Sequence, residues 1–207
     1  MHISEGVLDY RALIAGYVCT IGLAAAALKK LKQEDIPKVS VMGACFFVSS
    51  LIPIPVGISS VHLLLFGVLG IILGFESVIA VITGLLFQAL MFQHGGISVL
   101  GVNTVIMSLP VLFVHFTFRT FYKKLKNNIK LLGIISGILS FFAVLIGMGL
   151  AMLFIYFTGK EFMGFAFVFA LSHIVLAVIE GIITSVIIYQ ILRIKPGMIA
   201  VQVNKIG

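Results

Sequence analysis

Apolar residues run through this chain in long uninterrupted stretches broken by short polar knots, with no sustained alternation. Stretches of that length predict helices able to cross about 30 Å of hydrocarbon. The first runs from about Tyr10 to Leu28 and ends in Lys29, Lys30 and Lys32. The second, about Val39 to Leu51, is stopped by Pro53-Ile54-Pro55-Val56-Gly57, where two prolines stand too close together for a helix to continue. Broken backbone at membrane depth is tolerated only where it lines a cavity or lies inside protein. A third span follows at once, carries His62 near its beginning and reaches Gly74, with a turn at Glu76 and Ser77. The fourth, about Val78 to Phe92, ends in Gln93-His94-Gly95-Gly96. Ile97 to Thr104 predicts a loop or re-entrant piece, with Gly101 and Asn103 as its flexible and polar points. The fifth span is about Val105 to Phe121, the sixth about Leu131 to Phe157, and the seventh about Gly164 to Leu192.

The pattern is that of an all-α, polytopic helical membrane protein with about seven transmembrane helices. Basic residues cluster at Lys29–Lys32, at Arg119 through Lys130 and at Arg193 with Lys195. All three clusters fall on one side of the predicted membrane. Read as cytoplasmic, they put the amino terminus outside and the carboxy terminus in the cytoplasm. The same reading puts Met1, His2, His62, His94 and Asn103 together at the outer face. Residues 1–207 read as a single integral-membrane domain, with a tip at 1–9 and a helical bundle at 10–195.

Composition strengthens this picture. Of 207 residues, 61% are hydrophobic and 10% charged, and the mean hydropathy is +1.24, a balance that a soluble surface does not carry. Continuous apolar runs exclude a barrel. The net charge of +7 sits in short loops, where it orients the protein and does not indicate a nucleic-acid partner. Cys19 and Cys45 fall inside apolar runs and read as small buried hydrophobes, without a CxxC motif.

The candidate chemistry begins at the tip. A histidine in second position chelates a metal as no internal histidine can, through the free α-amine, its own backbone nitrogen and its imidazole Nδ1. Three nitrogens then share one plane and leave one corner open, which suits Ni(II) and Cu(II) better than tetrahedral Zn(II). The chelate needs a free Met1 amine. No secretory signal precedes His2, and the bulk of His2 is expected to protect Met1 from trimming. His62 is predicted at the same face of the membrane as this tip. Ser59 and Ser60 are placed to hold its other ring nitrogen, or else to cap the helix expected there. His94 beside two glycines reads either as a residue that orients a ligand or lines the access path, or as a surface histidine. His173 and Glu180, seven residues apart, share one face of the last helix. A carboxyl in an apolar span needs a partner, either another helix of this chain or a second subunit. No GxxxxGK[ST] loop and no HExxH motif is present.

Several segments together resemble the substrate-binding (S) components of cobalt and nickel energy-coupling-factor transporters, the CbiM/NikM family. They are Met1 through Leu8, Pro55 through Leu63, Phe87 through Leu90 with Phe92 through Gly96 and then Leu100 through Thr104, and His173 with Glu180 and Thr184. Two departures are Val61, where the family commonly has glycine, and Ile106-Met107, where it usually has asparagine-methionine. The resemblance implies a metal-capture subunit without enzymatic activity. Ni2+ or Co2+ would be its transported substrate, held in a square plane by the Met1 amine, both nitrogens of His2 and the His62 imidazole. It further implies a transmembrane coupling (T) subunit, two cytosolic ATPase (A) subunits, a small accessory subunit where one is used, and the plasma membrane of a prokaryote. A stand-alone secondary transporter or permease is the alternative, disfavoured by the single deep carboxylate and the missing repeat. An intramembrane metalloenzyme is disfavoured by a planar site that leaves no corner for substrate.

Overall fold

The computed structural model describes residues 3–56, 59–158 and 163–200, with backbone alone at 59–60, 158 and 163–168. Met1 and His2, and with them three of the four expected metal nitrogens, lie outside the described residues.

The chain is mostly helical. Helix α1 (Tyr10–Leu28) is capped by Asp9, whose carboxylate accepts from the Arg11 N–H at 3.3 Å. Helix α2 (Ile36–Ser49) carries Pro37 in its first turn, where a missing N–H costs nothing. The proline-rich segment forms a small antiparallel ribbon, β1 (Ile54–Val56) with β2 (Ser59–Val61), in register Ile54↔Val61. Helices α3 (Phe66–Leu73), α4 (Ser77–Phe92), α5 (Leu100–Leu125), α6 (Ile129–Thr158) and α7 (Met163–Ile194) follow.

Five stretches among the described residues are long and apolar enough to cross a membrane: Tyr10–Leu28, Phe66–Phe92, Leu100–Leu125, Ile129–Phe157 and Phe169–Ile194. The expected count was about seven, and the difference is physical. Helix α2 has 14 residues, about 21 Å at 1.5 Å per residue, short of a full crossing. Helix α3 has 8 and is separated from α4 by Gly74 at φ +67°. Two other expectations are corrected. The third helix starts at Phe66, so His62 lies on an extended strap before it. Gly101 and Asn103 belong to the first turn of α5, so they are helical and not part of a loop.

The arrangement of polarity is inverted relative to a soluble protein. Exposed apolar side chains form stripes at helical spacing, Tyr10, Ile14, Val18 and Ile21 on α1 and Ile134, Ile138 and Phe142 on α6, surfaces that suit hydrocarbon. Cys19 and Cys45 are also exposed on such surfaces and are not core fillers. Polar groups lie inside: Gln88, Asn103, Ser108, Ser140, His173, Glu180 and Thr184 are all buried. Helix α3, buried along its whole length, lies at the centre against α5, α6 and α7.

Candidate metal centre

Residues 3–8 form a tail clasped to the start of α5. The Ile3 N–H donates to Asn103 Oδ1 at 2.9 Å, and Asn103 Nδ2 donates back to the Ile3 carbonyl at 3.0 Å. A primary amide matches a peptide group, one donor beside one acceptor, so Asn103 pairs with the tail as a single rung of a strand would. The pair is dry, with Ile3 at 4% and Asn103 at 2% exposure. Two residues on, the Glu5 N–H donates to the Gly95 carbonyl at 3.0 Å, and Glu5 Oε1 accepts from the Ser98 N–H at 2.9 Å. That bond from Ser98 holds the Glu5 carboxyl below its ordinary pKa. Gly96, at φ +120°, faces Glu5 so closely that a Cβ there would stand 2.1 Å from Glu5 Cγ.

Small residues bring the tail's support together. Gly16 on α1 and Gly101 on α5 face each other where the two backbones nearly touch; a Cβ on Gly101 would lie 2.7 Å from the Tyr17 backbone nitrogen. At this crossing Thr20 Oγ1 donates to the Gly101 carbonyl at 2.7 Å, and the Tyr17 hydroxyl donates to the Ile97 carbonyl. The crossing sets the height of Asn103, one helical half-turn along α5.

His62 occupies the strap between β2 and α3. Its Nδ1 lies 3.0 Å from the Leu63 carbonyl. A carbonyl can only accept, so Nδ1 carries the proton and Nε2 is the ring's acceptor nitrogen, the tautomer a metal requires. Burial pushes the imidazole down to about 3, so the ring is neutral. The side chains of Ser59 and Ser60, expected to hold the ring or to cap a helix, lie outside the described residues. The ring N–H goes to Leu63, and because the next helix begins at Phe66, a strand and a strap separate both serines from its cap.

The strap is tied from below. Glu180 of α7, with no exposed surface, accepts at Oε1 from the Leu64 N–H and from the Leu65 N–H at 2.8 Å. Leu65 adopts φ +54°, a left-handed conformation that a branched residue takes only where its surroundings hold it. Successive N–H groups thereby converge on one carboxyl oxygen at the start of α3. Glu180 Oε1 thus finds partners within this chain, while Oε2 is buried without a hydrogen-bond partner among the described residues.

His173 lies about one turn past Phe169, where the described side chains of α7 begin, at 3% exposure. Its Nδ1 is 2.7 Å from the Phe169 carbonyl, and the Phe169 ring stacks on it at 4.0 Å between centroids. His94 is exposed at the rim, with its ring 6.2 Å from that of Phe92 and its N–H donating to the Gln88 carbonyl at 3.2 Å. Both His173 and His94 lie near enough to His62 to disfavour its protonation. Gln88 itself ties α4 to the end of α2 through Ser50 Oγ at 2.8 Å. The last buried histidine, His115, is elsewhere. It lines a cavity of about 450 Å³ at the basic end, with Lys30, Lys38, Glu76, Phe116 and Arg119. Sequence reasoning missed the clasp at Glu5, Gly96 and Ser98, although Glu5 and Gly96 both fall inside the quoted motifs.

Among the described residues no group of three His, Cys, Asp or Glu side chains is placed to hold a metal ion. What the described residues offer is a pinned tail and single imidazoles of fixed tautomer.

A family model described as "Cobalt uptake substrate-specific transmembrane region" matches residues 2–198. A Haemophilus influenzae protein named for metal transport is 34% identical over 201 residues, covering 95% of each chain. A Thermosediminibacter oceani protein named cobalt transport protein CbiM is 32% identical over 220 residues, covering 99% of this chain and 89% of that one. The fold matches that of a truncated transition metal transporter solved by crystallography, with a TM-score of 0.79 over 93% of this chain and 99% of the other at 22% identity.

Proposed function

Because this chain belongs to the CbiM family of cobalt-uptake transmembrane proteins, we propose that it is the metal-capture subunit of an energy-coupling-factor transporter. In this reading the tip and His62 form a square-planar nitrogen site for the transported ion, Co2+ or Ni2+. The ligands are the Met1 amine, the His2 backbone nitrogen, the His2 imidazole and His62 Nε2. The observation that carries the reading is the pairing of Ile3 with Asn103, at 2.9 and 3.0 Å. It fixes the backbone at Ile3, the residue next to His2. The His62 ring is the second support, since its Nδ1 is held by the Leu63 carbonyl at 3.0 Å, which fixes the tautomer in which Nε2 is the acceptor nitrogen.

The amino terminus lies outside in this reading, where it meets the ion, and the basic end faces the cytoplasm of a prokaryote. A coupling subunit and two ATPases would drive release. A backbone nitrogen that has lost its proton to bind metal dissociates slowly, and energy is needed to lift the tip away. Cobalt is the metal that the family's description names. Deprotonating a backbone amide favours Ni(II) over Co(II) on chemical grounds, which makes nickel the second substrate of this proposal.

The test is metal binding to purified protein with a native amino terminus. A one-to-one complex should be lost in His62→Ala and when one residue is added before Met1. Full affinity in the extended protein would overturn the chelate. Transport by this chain alone in liposomes would overturn the dependence on coupling partners.

A further inference from the structure

The cavity at the basic end takes no part in metal capture. It lies where the connection between α1 and α2, the Gly74–Glu76 turn and α5 meet. Four cations, Lys30, Lys32, Lys38 and Arg119, line it together with two carboxylates, Asp35 and Glu76. Lys32 is paired with Glu34, at 3.7 Å. Lys38 and Arg119 are half-buried and form no ion pair among the described residues. Burial holds the Lys38 ammonium below its ordinary pKa, and the attraction of Asp35 and Glu76 offsets this only in part. A partly desolvated cation without a partner is costly until an anion meets it.

A second observation points into the same space. His115, one helical turn before Arg119 on the same face of α5, is 5% exposed, and its Nδ1 has no hydrogen-bond partner among the described residues. The ring faces Gly74, which adopts φ +67°. A Cβ on Gly74 would stand 3.2 Å from His115 Nδ1 and 2.9 Å from Cε1. Glycine at this turn keeps the wall beside the ring open. An imidazole nitrogen in that position can hydrogen-bond an oxygen that enters the cavity.

The rim indicates the kind of anion. Phe116, 50% exposed on a surface that suits hydrocarbon, stands with its ring centre 6.5 Å from that of Phe75. Lys30 Nζ lies 4.1 Å from the centre of the Phe75 ring. Aromatic and basic side chains together at the end of a membrane span mark the depth of lipid head groups, and basic pockets between membrane helices hold their phosphates. With Lys32 paired elsewhere, three cations face two carboxylates. That excess of one charge suits a phosphodiester.

We propose that this cavity binds a phosphate group through Lys38, Arg119 and the His115 ring, and that an anionic phospholipid at the aromatic rim supplies it. The inference is independent of the metal site. It gives the basic end a lipid contact that joins the start of α2 to α5 across the Gly74 turn.

The experiment titrates the full chain in detergent with phosphatidylglycerol, phosphatidylcholine and inorganic phosphate, read by native mass spectrometry and by the 15N resonances of the His115 side chain. Phosphatidylglycerol should bind one to one and about tenfold more tightly than phosphatidylcholine, and Lys38→Gln with Arg119→Gln should lower its affinity at least about tenfold. Lys123→Gln with Lys124→Gln makes the same charge change outside the cavity and should cost less than about threefold, as screened surface charge does. In the wild type the His115 Nδ1 resonance should move as the lipid binds, a response that diffuse attraction to the surface does not give. Inorganic phosphate that moves this resonance while phosphatidylglycerol does not would uphold the phosphate site and place its source in solution. A resonance unmoved by either probe overturns the proposal. So do equal binding of the two lipids and equal losses in the two double variants.

Discussion

The two halves of the proposed site are held by very different means. The His62 strap ends in α3, which has no exposed residue, and is tied by the buried carboxyl of Glu180. The tail leads into α1, where only Gly16, Thr20 and Ala27 are buried, and its outer clasp at Glu5 is exposed. One half is built into the core, the other is fastened to it by a few hydrogen bonds. Local opening draws on the elements with the fewest buried contacts. On the proposed reading, capture and release would fall to the tail, with His62 as the fixed side of the site.

Cutting the fixed half should have the largest effect. Glu180→Ala removes the acceptor for the Leu64 and Leu65 N–H groups and strands them in the core. Hydrogen bonds to a carboxyl contribute about 1.5–3 kcal/mol each, so a loss of about 3 kcal/mol or more is expected in detergent unfolding, with metal binding lost as well. Glu180→Gln keeps an acceptor oxygen and should recover most of the stability. Equal damage from both variants would mean that charge, and not the hydrogen bonds to the strap, is what α7 supplies.

Loosening the other half should separate binding from stability. Asn103→Asp keeps the acceptor for the Ile3 N–H and discards the donor to the Ile3 carbonyl. The buried carbonyl then lacks a partner, a cost of about 1–3 kcal/mol. Because the tail is peripheral, that cost should appear as a loss of metal affinity of roughly tenfold or more, with the unfolding midpoint of the metal-free protein nearly unchanged. A midpoint that falls as far as in Glu180→Ala would erase the distinction between fixed and fastened halves.

What could be read from the chain follows the same division. Long apolar runs located α1, α4 and α7 to within a few residues, because hydrocarbon-length helices are local features of composition. The region from Pro53 to Leu65 was legible only as a break. Leu63-Leu64-Leu65-Phe66 looks like helix on hydropathy, and what unwinds its first three residues is Glu180, more than a hundred positions away. Asn103 was visible as the polar point of a glycine-rich segment, yet its partner is the backbone of Ile3, which leaves no mark on sequence. The small-residue run Gly22–Ala27 on α1 is a stretch whose composition suits close helix approach. The approach occurs at Gly16 against Gly101, while a Cβ on Gly22 would meet nothing within 4 Å. A sequence displays which residues can come close but not which neighbour arrives.

The smallest effect belongs to the clasp at Glu5, and pH is the means to see it. The Ser98 N–H lowers the Glu5 carboxyl below its ordinary value of 4.5. A carboxyl whose pKa is depressed when docked favours docking above the undocked value and loses that contribution as pH falls through the docked one. The tail should therefore be held at neutral pH and loosen in acid, below about 4.5, before the core gives way. Hydrogen exchange at the Glu5 amide, bonded to the Gly95 carbonyl, reports the change after correction for intrinsic rates. Glu5→Gln should exchange faster at pH 7 and lose the acid dependence. Ser98→Ala should weaken the acid dependence only in part, because it keeps the backbone N–H, the larger cause of the lowering, and removes the hydroxyl, the second. If Glu5→Gln protects the tail as well as the native residue does, the carboxyl is ornamental, and the tail is held by Asn103 and Ile3 alone.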